Sequence, residues 1–313
     1  MQAVTIDDGT IRVADRPDPA PGPDELLVRV AGAGLNGADL LQRAGHYPAP
    51  AGIPDDQPGL EFAGTVTAVG DRVVDHAPGD RVMGIVGGAA QAELVTTPAD
   101  LVLGVPDGWD LVHAGGAPEA LITAHDALFT QGRLGPGDRL LVTGAAGGVG
   151  TAAIQLAVAT GAEVVASARG EDRHDALRSL GAAEVVLPDD QAAAGPFDVV
   201  LELVGAPSVA TLLRSLATGA RIVVIGVGAG SRLELDLLAL MGARATLRGS
   251  TLRARPLADR VTATRSAGHV LGTLAARDAY TVPVAAIHDL GDAATAYDDF
   301  DRGGHLGKVI LAP

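Results

Sequence analysis

Arg139-Leu140-Leu141-Val142-Thr143-Gly144-Ala145-Ala146-Gly147-Gly148-Val149-Gly150-Thr151-Ala152-Ala153-Ile154-Gln155-Leu156 is the stretch on which the fold turns. Arg139 to Thr143 is a short apolar run of strand type, and Gly148 to Thr160 carries a helical pattern. Between them lies a turn built on Gly144, Gly147, Gly148 and Gly150. Glycine removes the Cβ where a backbone must approach a pyrophosphate, and a helix N-terminus offers that anion free N–H groups and partial positive charge. The turn therefore predicts a dinucleotide site at Gly147, Gly148, Val149 and Gly150. The competing reading is a turn that only packs strand against helix.

The pattern downstream supports the first reading. A helix is predicted over Pro118 to Thr130. Strands over Glu163 to Ala168, Glu184 to Leu187, Phe197 to Val204 and Arg221 to Val227 alternate with helices over Asp172 to Leu180 and Val209 to Leu216. Strands alternating with helices of this length make βαβ units and a parallel sheet. Their near-continuous apolar runs suit a sheet covered on both faces, the doubly wound Rossmann arrangement. A helix over Pro256 to Ala275, a strand at Tyr280 to Val284, a helix over Asp292 to Asp301 and a strand at Lys308 to Leu311 complete the chain.

The second strand of the unit bears on the cofactor. Enzymes that use NAD place a carboxylate at its tip to bind the ribose 2′-OH. Here the strand ends Ala166-Ser167-Ala168-Arg169-Gly170, with Arg173 one helical turn on. A guanidinium suits a 2′-phosphate, which favours NADPH. The alternative is that both arginines are solvated charges paired with Glu171 and Asp172.

The first hundred residues read as β structure: Leu26 to Val30, Gly64 to Gly70 and Gly79 to Gly84, punctuated by Gly and Pro, suggest a compact barrel. The 313 residues suit two domains. Net charge is −15, which disfavours nucleic acid and anionic membrane as partners. Cysteine is absent, which excludes disulfides, thiolate metal sites and cysteine nucleophiles. No apolar run of membrane-spanning length and no signal peptide is visible, and the expected location is cytoplasmic.

These residues, with Leu35-Asn36-Gly37-Ala38-Asp39-Leu40-Leu41-Gln42-Arg43, Gly45-His46-Tyr47-Pro48, Gly59-Leu60-Glu61-Phe62-Ala63-Gly64, Pro118-Glu119-Ala120-Leu121-Ile122-Thr123-Ala124, Gly249-Ser250-Thr251-Leu252-Arg253-Ala254-Arg255-Pro256-Leu257 and Gly307-Lys308-Val309-Ile310-Leu311, carry a resemblance. Essentially the whole chain resembles the zinc-free medium-chain dehydrogenase/reductases. The likeness is to their quinone oxidoreductase, zeta-crystallin-like branch, of the tumour-suppressor-inducible type. The resemblance implies a GroES-like barrel domain over 1–117 and 254–313, a Rossmann domain over 118–253, and a homodimer formed edge to edge between Rossmann sheets. It implies NADPH-dependent hydride transfer to a quinone or other conjugated carbonyl, a small-molecule substrate. An enoyl or ketone reductase of a biosynthetic pathway is the alternative within the scaffold, and a non-catalytic NADPH-binding protein is the alternative outside enzymes.

The resemblance also assigns residues. Zinc-dependent relatives carry Cys where this chain has Asn36 and His where it has Leu60, so no metal is expected. Asn36 would face nicotinamide and substrate and donate to the developing oxyanion, although a turn asparagine is the plainer reading. Tyr47 would line the pocket and offer its phenol to the carbonyl, against the reading of a half-buried loop aromatic. Asp39 is expected to cap local backbone. Thr123, Ser167, Ile225, Gly226, Gly228, Leu252 and Lys308 would contact the cofactor, with Arg253 beside Leu252. A solvated strand-end lysine is the alternative for Lys308. Gly37 and Pro188 depart from the closest relatives, which carry Arg and Tyr there.

Overall fold

The computed structural model describes residues 1–313. In chain order its first elements are β1 (Gln2–Asp7), β2 (Thr10–Asp15), β3 (Glu25–Gly34), α1 (Gly37–Arg43), β4 (Glu61–Val69), β5 (Arg81–Ile85), β6 (Leu94–Pro98), β7 (Val102–Gly104), α2 (Leu111–Ala114) and α3 (Pro118–His125). There follow β8 (Arg139–Val142), α4 (Gly148–Thr160), β9 (Glu163–Ser167), α5 (His174–Ser179), β10 (Glu184–Val186), β11 (Phe197–Glu202), α6 (Ala206–Leu212), β12 (Leu216–Val224), α7 (Leu237–Ala243) and β13 (Thr246–Gly249). The last are α8 (Leu257–Ala275), β14 (Val284–Asp289), α9 (Ala293–Arg302) and β15 (Lys308–Ala312).

Two units divide the chain. The first holds Met1–Ile122, Leu252–Thr273 and Val282–Pro313, and the second holds Thr123–Thr251 and Leu274–Thr281. In the first, β1 and β2 form a hairpin whose turn residues Asp8 and Gly9 both have positive φ, 46° and 76°. That is the backbone a two-residue type I′ loop needs. A seven-stranded sheet runs β14-β15-β3-β4-β5-β7, with β6 added on β3. Alternation along β3 buries Leu26, Val28 and Val30 and exposes Arg29. These pack with Phe62, Val66, Val82 and Val95 into the barrel core, each fully buried aliphatic side chain contributing about 1.5–3 kcal/mol. A second cluster joins the hairpin to α9 and β15 through Val4, Ile11, Tyr297, Val309 and Leu311. The buried Tyr297 hydroxyl donates to Gln91 Oε1 at 2.8 Å, so its burial leaves that donor satisfied.

In the second unit six parallel strands are ordered β10-β9-β8-β11-β12-β13. The order reverses between β8 and β11, and in such sheets ligands bind beyond the carboxyl ends of the strands at the reversal. Leu141, Val165, Phe197, Val200, Leu212 and Ile222 make the core. The α/β class with a GroES-like sheet unit and a doubly wound Rossmann unit is as the sequence implied.

Several boundaries differ from expectation. The strand expected at Tyr280 to Val284 begins instead at Val284. Gln155 on α4 holds Thr281, accepting from its N–H at 2.8 Å and donating to its carbonyl at 3.0 Å, and Pro283 has no N–H to give a ladder. The helix from Pro118 widens into π geometry over Asp126–Gln131. The helix expected at Val209 to Leu216 starts at Ala206, with proline in its first turn, and ends at Leu212. The strand expected from Arg221 begins at Leu216.

Candidate active site

In the second unit β8 delivers the chain into the glycine turn. Gly144 takes φ +59°, and a Cβ on Gly150 would stand 2.5 Å from the Ala145 carbonyl oxygen. Helix and turn approach so closely there that only glycine fits. The turn is tied to the neighbouring strand by Ala145 N–H on the Ser167 carbonyl at 3.0 Å. Gly147 caps α4 with extended backbone, and the first helix-internal bond runs from Thr151 N to Gly147 O at 2.9 Å. The N–H groups of Gly148, Val149 and Gly150 therefore have no acceptor within the helix. Gly147, Gly148 and Val149 are half-buried and open to an anion.

The carboxyl ends of β9, β11 and β12 complete this edge. Arg169 is exposed and makes no bond to the protein. Arg173 leans on Asp172 at 3.4 Å, so one of the two arginines has the carboxylate neighbour that the competing reading foresaw. Ser167 is 2% exposed and meets the turn through its carbonyl rather than its hydroxyl. Ile225 and Gly226 both donate to the Glu202 carbonyl, at 2.9 and 3.1 Å, and Gly228 lies exposed beyond them. The fully buried Glu202 carboxylate accepts from Thr143 Oγ1 at 2.9 Å, Val204 N at 2.7 Å and Gly205 N at 2.8 Å. It thereby fixes the β11 loop beside the glycine turn. Thr123 is buried at the start of this unit.

The first unit gathers a different cluster. Asn36 follows β3 by two residues and caps α1; Asp39 Oδ2 accepts from the Asn36 backbone N–H at 2.8 Å and Asp39 Oδ1 from Gly59 N–H at 3.0 Å. Asp39 is thus the backbone cap the sequence implied. Its full burial raises its pKa from 3.8 to about 6, against the lowering effect of the two N–H donors. The Asn36 amide is held on both sides. Oδ1 accepts from Lys308 Nζ at 2.7 Å, and Nδ2 donates to Glu61 Oε1 at 2.9 Å and to the Gly34 carbonyl at 3.2 Å. An ammonium can only donate and a carboxylate can only accept, so these partners dictate the amide's orientation.

Lys308 is 3% exposed. Its ammonium also donates to the Leu35 carbonyl at 2.7 Å and pairs with Glu61 Oε1 at 2.6 Å. Glu61, 0% exposed, uses Oε2 to accept from Glu119 N–H at 2.9 Å. This bonding bears on two expectations. Lys308 is not the solvated strand-end lysine of the alternative reading, because its donors are engaged by Glu61, Leu35 and Asn36. Both Asn36 amide hydrogens are engaged, so an oxyanion would have to displace the longer bond, to Gly34. Glu61 escaped the sequence reading except as part of a motif. A carboxylate heading the apolar run Phe62-Ala63-Gly64 was the available signal.

Tyr47 is half-buried on the loop after α1, with the exposed His46 beside it. Burial and the Glu119 carboxylate push its phenol above the ordinary value, while the Arg253 guanidinium opposes them. Leu252 is buried in the first unit.

The comparisons agree with this division. Residues 22–107 match the family model "Alcohol dehydrogenase GroES-like domain", and residues 148–264 match "Zinc-binding dehydrogenase". Erythronolide synthase EryA2 of Saccharopolyspora erythraea is 36% identical over 297 residues, which cover 92% of this chain and 8% of that synthase. The polyketide synthases matched are far longer, and the chain spans 4% to 15% of their lengths. A mycobacterial protein solved in complex with NADPH superposes with TM-score 0.88 at 27% identity, covering 100% of both chains. The quinone oxidoreductase of Coxiella burnetii gives 0.82 at 26%, covering 100% of this chain and 99% of that one. With both domain models matched in order and full-length structural agreement, the chain belongs to the medium-chain dehydrogenase/reductase superfamily.

Proposed function

We propose that the chain is an NADPH-dependent reductase that transfers hydride, without a metal, to a quinone or similar conjugated carbonyl. The observation that carries this reading is the buried Lys308 ammonium on Asn36 Oδ1. The ammonium, itself paired with Glu61, occupies Oδ1, the amide atom a metal would need, and holds Nδ2 as the donor. Neither Asn36 nor the apolar Leu60 is a competent zinc ligand.

The residues present fit NADPH. The glycine turn has no room for a Cβ at Gly150, the first N–H groups of α4 are free for a pyrophosphate, and Arg169 is an unpaired guanidinium at the tip of β9. Bound there, NADPH would supply the hydride. Asn36 then exchanges its longer Nδ2 bond, to Gly34, for the substrate oxygen as negative charge develops. Tyr47, whose phenol is held in the protonated form, delivers the proton that completes the hydroquinone. Reduction of an enoyl or keto group in a biosynthetic pathway is the second reading, supported by the likeness to erythronolide synthase over 92% of this chain.

Partnering follows the same logic. The edge strand β13 and the exposed Leu237, Leu238, Met241 and Leu247 favour a homodimer through this sheet edge. A Leu238→Glu/Met241→Glu variant is expected to sediment as a monomer.

Reduction is tested by following loss of nicotinamide absorbance with a panel of quinones and acyclic enones. Faster turnover of quinones supports the first reading, and exclusive turnover of thioester-linked enones supports the second. Tight NADPH binding with no acceptor reduced would overturn both in favour of a non-catalytic binding role.

A further inference from the structure

Residues 44–60 join α1 to β4 without regular secondary structure. So long a connection within a compact domain commonly carries function. Its far end is tied down: Ile6 N–H donates to Asp56 O at 2.8 Å, Ala89 N–H to Gln57 O at 3.0 Å and Gln91 N–H to Pro58 O at 3.4 Å. The near end, which carries Tyr47, is bonded to itself and to the preceding helix, with Ala49 N–H on Asp55 Oδ1 at 2.8 Å and Gln42 Nε2 on Asp55 O at 2.9 Å.

One side chain from elsewhere in the first unit reaches Tyr47. Arg253, 8% exposed, donates through Nε to Gly87 O at 2.7 Å, through Nη1 to Tyr47 O at 3.1 Å and through Nη2 to Gln42 Oε1 at 2.8 Å. Its guanidinium carbon stands 4.9 Å from the centre of the Tyr47 ring, within cation–π range. One planar group thus bonds to α1, to the Tyr47 loop and to the segment after β5, and stacks on the ring that it positions. Burying a guanidinium without an ion pair is costly, and a leucine would fill the space without that cost. The polar connections are what an apolar residue could not supply.

We propose that Arg253 is the positioning residue of Tyr47, latching the loop so that the phenol stands ready to protonate the reduced carbonyl. The latch also acts through charge. Burial and Glu119 raise the phenol above its ordinary value, and the guanidinium opposes them. Lysine cannot replace the latch, because an ammonium does not present coplanar donors to acceptors on separate segments.

The inference rests on the reductase reading, so its test has one readout that needs turnover and one that does not. In Arg253→Lys, kcat/KM for a quinone is expected to fall about 100-fold, as a displaced catalytic group does, with the Kd for NADPH unchanged. In a Tyr47→Phe background the same substitution adds almost nothing, because the group it positions is already gone. Without substrate, amide hydrogen exchange over residues 44–50 rises in both Arg253→Lys and Arg253→Gln while the rest of the unit keeps its protection. Retained kcat/KM in Arg253→Lys, or the same loss with and without the Tyr47 hydroxyl, overturns the proposal. So does unchanged exchange over residues 44–50, or parallel loss of NADPH binding. If the wild type reduces no acceptor, the reductase reading falls, and the exchange measurement still decides whether Arg253 holds the loop.

Discussion

Replacing Lys308 by methionine removes a buried cation and leaves its partner in place. Glu61 is fully buried, and in the wild type its Oε1 is paired with Lys308 at 2.6 Å and bonded to Asn36 at 2.9 Å. After the substitution it keeps only Asn36 and the Glu119 N–H for an uncompensated charge. Breaking one side of such a pair costs about 3–5 kcal/mol, because the remaining ion stays desolvated. For a unit of this size the thermal midpoint falls by about 2–4 °C per kcal/mol, so the drop should be roughly 6–20 °C. Lys308→Met/Glu61→Gln, which removes both charges, should recover much of that loss. Urea titration with circular dichroism and differential scanning calorimetry would measure both variants. A cost below about 1 kcal/mol for Lys308→Met, the range of exposed pairs, would refute the claim that this network is a dry, mutually dependent unit. So would a double variant less stable than the single one.

Other consequences are quicker to check. Arg169→Ala should weaken NADPH binding about 10–100-fold, the loss of one or two charge-assisted bonds, and leave NADH binding unchanged; equal weakening of both would place Arg169 elsewhere. Gly150→Ala should abolish dinucleotide binding, since the new Cβ would meet the Ala145 carbonyl at 2.5 Å, and calorimetric titration detects this directly. Asp39 keeps its proton to about pH 6 in the folded chain against an ordinary 3.8. The stability linked to that proton is fully present below pH 3.8 and is lost as pH rises through 6, a change of about 3 kcal/mol. The stability of the wild type minus that of Asp39→Asn should fall by that amount between pH 4 and 7; a flat difference would refute it. Because the Tyr47 phenol is held above its ordinary value of 10.0, its protonated form persists and should cause no fall in kcat between pH 6 and 9. A Tyr47-dependent fall in that range, absent in Tyr47→Phe, would contradict this.

Much of the Rossmann unit was legible because its signals are local. A glycine turn between an apolar strand and a helix declares itself within a dozen residues, and α4 has the predicted bounds, Gly148–Thr160. The barrel was harder, since its strands pair across long separations, and β6 on β3 leaves no mark in its own sequence. The β1–β2 hairpin did carry one, Asp8-Gly9, a strong short-range turn signal that went unread. At the site, the glycines and Arg169 lay where local pattern put them. The bonding partners of Asn36 and Lys308 were not legible, because hydrogen-bond saturation is a tertiary property. Nothing near residue 308 reveals that Glu61, 247 positions away, will meet its ammonium within 2.6 Å. Arg253 was likewise legible as a position and not as a latch.

The measurement closest to the central claim is steady-state reduction of a quinone by NADPH before and after exhaustive dialysis against a strong metal chelator. The account predicts unchanged kcat and KM after chelation, no gain on adding zinc, and a large loss in Asn36→Ala. Activity that disappears with chelation and returns with zinc would contradict it.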